Sequence, residues 1–185
     1  MKSLTLYAGI ATLAFGASTA SAAVISLGGP LSKNCYEAAL AQDNRDQAID
    51  GCTRSLDQEA LMPRDRAATL VNRGILFMAR RSDAAADSDF DAALAMDSRL
   101  SDAWLNKGFL RLREGDGRDA LPLLQRGIET GPRRQALAIF ARGVAHEQMG
   151  DYRLAYADLR QAQELEPGWS LPAEYLASYR LVGRP

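Results

Sequence analysis

Residues 104–132 read WLNKGFLRLREGDGRDALPLLQRGIETGP, and this stretch decides the fold. Apolar side chains recur every three or four positions on both sides of Gly115-Asp116-Gly117, which predicts two helices separated by a tight turn. Glycine suits the left-handed backbone of such a turn, and the Asp116 carboxylate can accept hydrogen bonds from the free amides of the next helix. The stretch therefore predicts a helical hairpin.

The same pattern recurs about 34 residues away in both directions. Three positions agree in every copy, namely a glycine, an alanine twelve residues later and a bulky apolar residue four further on: Gly74, Ala86 and Phe90; Gly108, Ala120 and Leu124; Gly143, Ala155 and Leu159. Small residues let two antiparallel helices cross closely, so each glycine is expected to face the alanine of its own hairpin. The bulky residues are expected to fill the space between successive hairpins, which must stack to bury their apolar faces.

The composition agrees with a helical protein. Among 185 residues there are 32 alanines but only 16 β-branched residues, and β-branched side chains are the ones that strands prefer. The 22 basic and 23 acidic residues leave a net charge of −1, which gives no electrostatic reason to expect a nucleic-acid partner. The first helices are predicted at 66–80, 100–113 and 134–149, and the second helices at 83–97, 117–130 and 152–166.

Several of these motifs resemble the tetratricopeptide repeat (TPR) family over residues 67–167. The resemblance is carried by Asn106-Lys107-Gly108 after a tryptophan, by Ala86-x-x-x-Phe90, and by the run from Gly150 to Pro167. It implies an all-α fold, an α-solenoid of antiparallel helix pairs. About three clear repeats are expected, with a degenerate repeat at the N-terminal end and a capping helix over Ser170–Leu181.

Three positions depart from the family pattern. Arg111 and His146 stand where the family usually has an aromatic residue, so the seams that they occupy are expected to be wetter or more loosely packed. Pro122 lies inside a second helix, where it removes one backbone hydrogen bond and should bend the helix.

The first 22 residues have the pattern of a secretory signal. Lys2 precedes an apolar stretch from Leu4 to Phe15, and Ala20-Ser21-Ala22 forms an A-x-A cleavage site, which predicts cleavage after Ala22. The apolar stretch is shorter than the roughly 20 residues that span a bilayer, although an uncleaved anchor is the alternative. The sequence thus predicts an exported bacterial protein, periplasmic or secreted.

The predicted organisation has four parts: a signal peptide at 1–22, an N-terminal segment with the degenerate hairpin at 23–66, three repeats at 67–169, and the capping helix and tail at 170–185. The segment 59–66 is expected to be a long connection. Export places Cys35 and Cys52 in an oxidising compartment, which favours a disulfide between them. The alternative is two buried thiols that never meet.

Motifs for catalysis are missing from the sequence, which predicts a non-enzymatic protein without cofactor or metal. There is no Gly-rich phosphate loop, HExxH, G-x-S-x-G or CxxC, and the single histidine, His146, has no second ligand near it in the sequence. The acidic residues Asp87, Asp89 and Asp91 are interpreted as a solvated helix face that balances Arg80 and Arg81.

The resemblance also implies a binding surface, because the first helices of such repeats line a concave groove that holds peptides or partner helices. Nine residues are predicted to line it: Val71, Asn72, Ile75, Leu105, Asn106, Phe109, Leu112, Phe140 and Val144. Asn72 and Asn106 match the asparagines of a carboxylate clamp found in some members, but the basic positions around them are apolar here. An amphipathic helix or extended apolar peptide is therefore the expected ligand. The alternatives are that these side chains are interior, or that segment 23–33 covers them.

Two functions follow from this interpretation. The first is an exported adaptor or scaffold whose apolar groove binds a peptide or helix of a partner protein of unknown identity. The alternative is a self-associating component of an envelope assembly, for example a homodimer, which uses Trp169, Tyr175 and Tyr179 to contact a second copy. Those aromatic residues can equally be the packed side of the capping helix.

Overall fold

The structure is a computed structural model that describes residues 5–8 and 28–182. The predicted cleavage site at Ala22 and most of the predicted signal lie outside the described residues. The described residues form nine helices: α1 Pro30–Leu40, α2 Asp46–Gln58, α3 Pro63–Ala79, α4 Asp83–Met96, α5 Ser101–Arg113, α6 Gly117–Glu129, α7 Gln135–Gln148, α8 Tyr152–Leu165 and α9 Ser170–Ala177. Two short strands accompany them: β1 Thr5–Ala8 and β2 Tyr179–Val182.

The helices pack as consecutive antiparallel pairs. α1 lies against α2, α3 against α4, α5 against α6 and α7 against α8; successive pairs also touch, and α9 packs on α8. This arrangement confirms the predicted α-solenoid, with three clear repeats, a degenerate N-terminal hairpin and a C-terminal capping helix. The apolar core runs through all of these helices as one continuous cluster.

Two helix ends differ from the prediction. α3 begins at Pro63, so the connection after α2 is only 59–62. Proline is favourable at the first helical position because the amide it lacks would have no partner there. α9 ends at Ala177 instead of continuing to Leu181, and the chain then forms β2, antiparallel to β1. The Ser178 hydroxyl, which donates to the Tyr175 carbonyl at 2.7 Å, closes this helix end.

The turns inside the hairpins use a left-handed backbone residue, which is glycine in two turns and arginine in a third. Gly115 and Gly150 take the left-handed conformation, with φ of +81° and +80°, and Arg81 takes it without glycine at φ +62°. Asp116 accepts a hydrogen bond from the Asp119 amide at 3.0 Å, which confirms the predicted cap. Ser82 stands at the equivalent position before α4, but its side chain does not cap that helix.

The repeated glycines are covered by the bulky residues of their own hairpins. A Cβ atom at Gly74 would lie 2.5 Å from the Phe90 ring, and one at Gly108 would lie 2.5 Å from Leu124 Cδ2. The atoms nearest to these two glycines thus belong to Phe90 and Leu124, and not to the alanines that were expected to face them. Gly143 is less crowded, since the nearest atom would be 3.1 Å away.

We expect Gly108→Ala to lower the free energy of unfolding by about 2 kcal/mol, because the added methyl group overpacks the contact with Leu124. Gly51→Ala is the matched control: Gly51 is also helical, but a Cβ atom there meets nothing within 4 Å. The control should raise stability by about 1 kcal/mol, the helix-propensity difference. Urea unfolding followed by circular dichroism measures both, and a stabilised Gly108→Ala would contradict the packing described here.

The first hairpin is closed by a disulfide. Cys35 of α1 and Cys52 of α2 are bonded, with their Cα atoms 4.9 Å apart, and both side chains are buried. The predicted disulfide is thus present in the structure. A bridge across a loop of this length stabilises by roughly 3 kcal/mol.

The Glu59 carboxylate, just after α2, closes the start of α1. It accepts hydrogen bonds from the amides of Leu31 and Ser32 at 2.8 and 2.9 Å and from the Ser55 hydroxyl at 2.6 Å. Burial raises the pKa of Glu59, but these three bonds outweigh burial and leave the pKa below its usual value. The folded state therefore favours the ionised carboxylate.

We expect Glu59→Gln to reduce the free energy of unfolding at pH 7 by about 1–2 kcal/mol, because charge-assisted bonds to the α1 amides become neutral ones. Since the folded-state pKa is lowered, the difference should be full above the ordinary carboxyl pKa and should vanish as pH falls through the folded-state value. Unfolding of both proteins in urea at a series of pH values tests this. A difference that grows on acidification would contradict it.

Candidate functional site

All nine residues predicted to line the concave groove are buried. Their exposed fractions lie between 0 and 4%, the largest being that of Val144. The expectation of an open lining is therefore wrong for this set: Val71, Asn72, Ile75, Leu105, Asn106, Phe109, Leu112, Phe140 and Val144. The structure agrees instead with the alternative that these side chains are interior.

Contacts from neighbouring helices account for part of this burial. Leu105 packs on Gly127 of α6, where a Cβ atom would lie 2.6 Å from Leu105 Cδ2. The Phe140 ring packs against Trp169 and Tyr175, with both centroid distances at 5.0 Å. The aromatic residues considered for self-association are thus used within the chain, and the Tyr179 ring likewise packs on Tyr156 at 5.8 Å.

The two asparagines of the sequence pattern are also interior. The Asn106 amide donates to the Asp102 carbonyl at 2.8 Å, one turn earlier in α5. The Asp102 carboxyl is buried too, and burial raises its pKa to about 6 although Arg133 acts in the opposite direction. Asp102 and Asn106 of α5 are therefore interior polar residues.

Two arginines make the same set of contacts, each to an aspartate of its own hairpin and to a side chain of the preceding hairpin. Arg73 forms a bidentate pair with Asp89 at 2.8 and 2.7 Å, and Arg142 forms one with Asp158 at the same distances. Each guanidinium also reaches the preceding hairpin, Arg73 at the Thr53 hydroxyl and Arg142 at the Gln125 side-chain oxygen, both at 3.1 Å. The two arginines are equivalent in the repeat, lying directly before Gly74 and Gly143.

The middle repeat uses a different arrangement. Lys107 takes the arginine position, and its ammonium contacts Asp91 at 2.7 Å and Asp87 at 3.0 Å, both in the preceding hairpin. Arg111 adds a contact to Asp87 at 3.1 Å. The interpretation of Asp87, Asp89 and Asp91 as a face that balances Arg80 and Arg81 is therefore wrong about their partners, which lie on α3 and α5. It is also wrong about the burial of Asp89, whereas Asp91 is exposed as expected.

A cleft opens between α6 and α8, on the side of the solenoid away from the predicted concave groove. Residues of α7 form its floor. We call it the outer cleft; its volume is about 440 Å³ and its walls are mostly apolar. Leu154 stands at its rim with 53% of its surface exposed. The lining residues are Leu121, Pro122, Gln125, Arg142, His146, Leu154, Ala157 and Asp158.

The position of His146 explains much of this opening. Its equivalents are Phe77 in α3 and Arg111 in α5, which are larger side chains. The His146 imidazole has both nitrogens 4.0 Å from the nearest carboxylates, those of Asp151 and Asp158, which is too long for a hydrogen bond. The expectation of a loosely packed seam at His146 is confirmed, whereas the seam at Arg111 is occupied by ion pairs.

The change in α6 completes the explanation. Leu121 and Gln125 occupy the positions at which α4 carries Asp87 and Asp91. No carboxylate is therefore available at either position to hold a long basic side chain across this seam. The outer cleft was not predicted from the sequence, although the replacement of two aspartates by Leu121 and Gln125 in the aligned repeats is a signal of it.

The fold and these contacts define an α-solenoid of TPR type. Solved structures of MamA share the fold. A MamA fragment from Desulfovibrio magneticus RS-1, from its residue 41 to its end, is 20% identical with a TM-score of 0.63, covering 80% of this chain and 82% of that one. A crystal structure of MamA is 19% identical with a TM-score of 0.62, covering 77% and 80%.

A MamA RS-1 ArsTM double mutant is also similar, at 19% identity and a TM-score of 0.63, covering 80% of this chain and 82% of that one. At these identities the likeness concerns the fold alone. No protein-family profile and no curated protein matches the chain. Of the helices in the described part of the chain, none combines the length and the apolar character needed to cross a membrane.

Proposed function

We propose that this chain is a non-enzymatic interaction module that binds a peptide or helix of a partner protein in the outer cleft. The observation that carries the proposal is the preformed cleft itself: about 440 Å³, apolar walls and an exposed leucine at the rim. The volume lies in the range of ligand-binding clefts, and the cleft is open to solvent along its mouth. A solenoid of stacked, ion-paired hairpins gives such a cleft rigid walls.

The outer cleft replaces the concave groove as the proposed site. A partner could reach Phe109 or Leu105 only by displacing packed side chains, whereas Leu154 and Leu121 are available at the cleft without any rearrangement. The likeness to MamA supports the repeat fold on which the proposal is built, and a fold of this kind hosts many functions.

Export belongs to the same proposal. The A-x-A sequence ending at Ala22 and the Cys35–Cys52 disulfide are both typical of a protein that leaves a reducing cytoplasm. We propose that the mature chain begins at Ala23 and resides in the periplasm or outside the cell. N-terminal sequencing of the protein from the exported fraction tests this, and an intact Met1 would contradict it.

The binding site can be tested by photocrosslinking. A photoreactive amino acid at position 154 is expected to form an adduct with a partner in the exported fraction, while the same group at position 40 should not. Leu40 is equally exposed, at 56%, but lies at the end of α1, far along the solenoid. Equal labelling from both positions would contradict the proposed site. Light scattering separates self-association, since a particle twice the monomer mass would indicate that the partner is a second copy.

A further inference from the structure

We propose that the outer cleft binds an aromatic side chain presented by the partner. The inference rests on the proposed function and specifies its ligand. It comes from a comparison of the cleft with the equivalent seam two repeats earlier, between the α1–α2 hairpin and the α3–α4 hairpin. There the protein itself supplies a phenylalanine ring.

In that earlier seam, Phe77 lies one helical turn after Arg73. The Arg73 guanidinium carbon is 5.7 Å from the centre of the Phe77 ring, within the range of a cation–π contact. Arg73 is at the same time paired with Asp89 and reaches Thr53. This is a complete seam: a paired arginine with an aromatic ring beside it.

The outer cleft has the same parts as that seam, but its ring is the smaller, polar imidazole of His146, which leaves space beside it. Arg142 is paired with Asp158 and reaches Gln125, as Arg73 is paired with Asp89 and reaches Thr53. One turn later, however, the chain has His146 where the earlier repeat has Phe77. The open space therefore lies beside a guanidinium whose equivalent is covered by an aromatic ring.

The walls fit a ring as well. Leu121 and Pro122 of α6 face Leu154 and Ala157 of α8 across the cleft, which gives apolar contact on two sides. The electron-rich faces of an aromatic ring are complementary to the positive Arg142 guanidinium, and an aliphatic side chain lacks this complementarity. An acidic side chain gains little, because the Arg142 donors are already bonded to Asp158 and Gln125.

The single histidine of the chain provides a direct test. The imidazole signals of His146 can be followed by NMR on the full chain while N-acetyl-tryptophanamide is added, with N-acetyl-leucinamide as the comparison. We expect a saturable shift with a millimolar dissociation constant for the tryptophan probe, at least fivefold tighter than for the leucine probe. Equal affinities, or no shift with the tryptophan probe, would overturn the inference.

Two variants locate the binding. His146→Phe puts a larger, apolar ring at this position, fills part of the cleft from within and should weaken binding of the tryptophan probe at least tenfold, measured by calorimetry. Leu154→Ala removes one wall at an exposed position and should weaken it at least threefold. Leu40→Ala is the control and should leave affinity unchanged. Unchanged affinity in both His146→Phe and Leu154→Ala would overturn the inference.

The outcomes separate the inference from the proposed function. Crosslinking at position 154 without binding of the tryptophan probe would keep the outer cleft as the partner site and reject the aromatic ligand. Binding of the probe without any crosslinked partner would do the opposite. A His146 signal that shifts with protein concentration alone would show that a second copy occupies the cleft, and would overturn the inference.

Discussion

Replacing Phe109 by Asp is expected to unfold the repeat that contains it. Phe109 is 2% exposed. The substitution therefore removes a large buried apolar side chain and puts in its place a carboxylate that has no basic residue to pair with. Removing a buried phenylalanine alone costs about 3–5 kcal/mol, and an unpaired buried charge adds several more. The sum is comparable to the whole stability of an ordinary domain, about 5–15 kcal/mol.

Far-UV circular dichroism and thermal unfolding measure the effect, and Phe140→Asp should behave alike because Phe140 packs between Trp169 and Tyr175. Leu154→Asp is the control: it puts the same charge on an exposed leucine of the outer cleft and should keep the helical signal and the cooperative transition. If Phe109→Asp also kept both, Phe109 would be a surface residue, and the concave groove would again be the better candidate for the partner site.

The contrast shows how far the sequence determines the fold. Spacings of 34 and 35 residues between Gly74, Gly108 and Gly143 were sufficient to predict the hairpins, since each glycine marks a contact between the two helices of a hairpin, tight at Gly74 and Gly108 and looser at Gly143. The Cys35–Cys52 bridge could be predicted from the expected compartment. These features depend on residue spacing or on cysteine chemistry, and both can be recognised in the sequence.

The site was harder to predict for a physical reason. Periodicity identifies the apolar face of α5, but whether Phe109 on that face is covered depends on packing with other elements, which periodicity does not contain. The same applies to Asp89: its neighbours in sequence suggested a solvated acidic face, whereas its partner Arg73 lies 16 residues away on another helix. The outer cleft appears only when aligned repeats are compared position by position.

Asp89→Ala is expected to lower the free energy of unfolding by about 3 kcal/mol. It leaves the Arg73 guanidinium, with only 19% of its side chain exposed, without its bidentate partner. Breaking a buried pair in this way costs about 3–5 kcal/mol, and the partial exposure of Arg73 favours the lower end. Asp91→Ala is the matched control on the same helix: Asp91 is 64% exposed, so its contact with Lys107 should contribute less than about 1 kcal/mol.

The middle repeat suggests how the loss can be reversed. There the Asp89 position is Leu123, and Lys107 finds its carboxylate at Asp91 in the preceding hairpin. In the first seam the position equivalent to Asp91 is Thr53, so adding Thr53→Asp to Asp89→Ala gives Arg73 a new partner across the seam. Urea unfolding should show at least half of the lost stability restored, because the unpaired cation, and not the missing packing, causes most of the loss. No recovery in the double variant would mean that a carboxylate in the preceding hairpin cannot replace the one that Arg73 has inside its own hairpin.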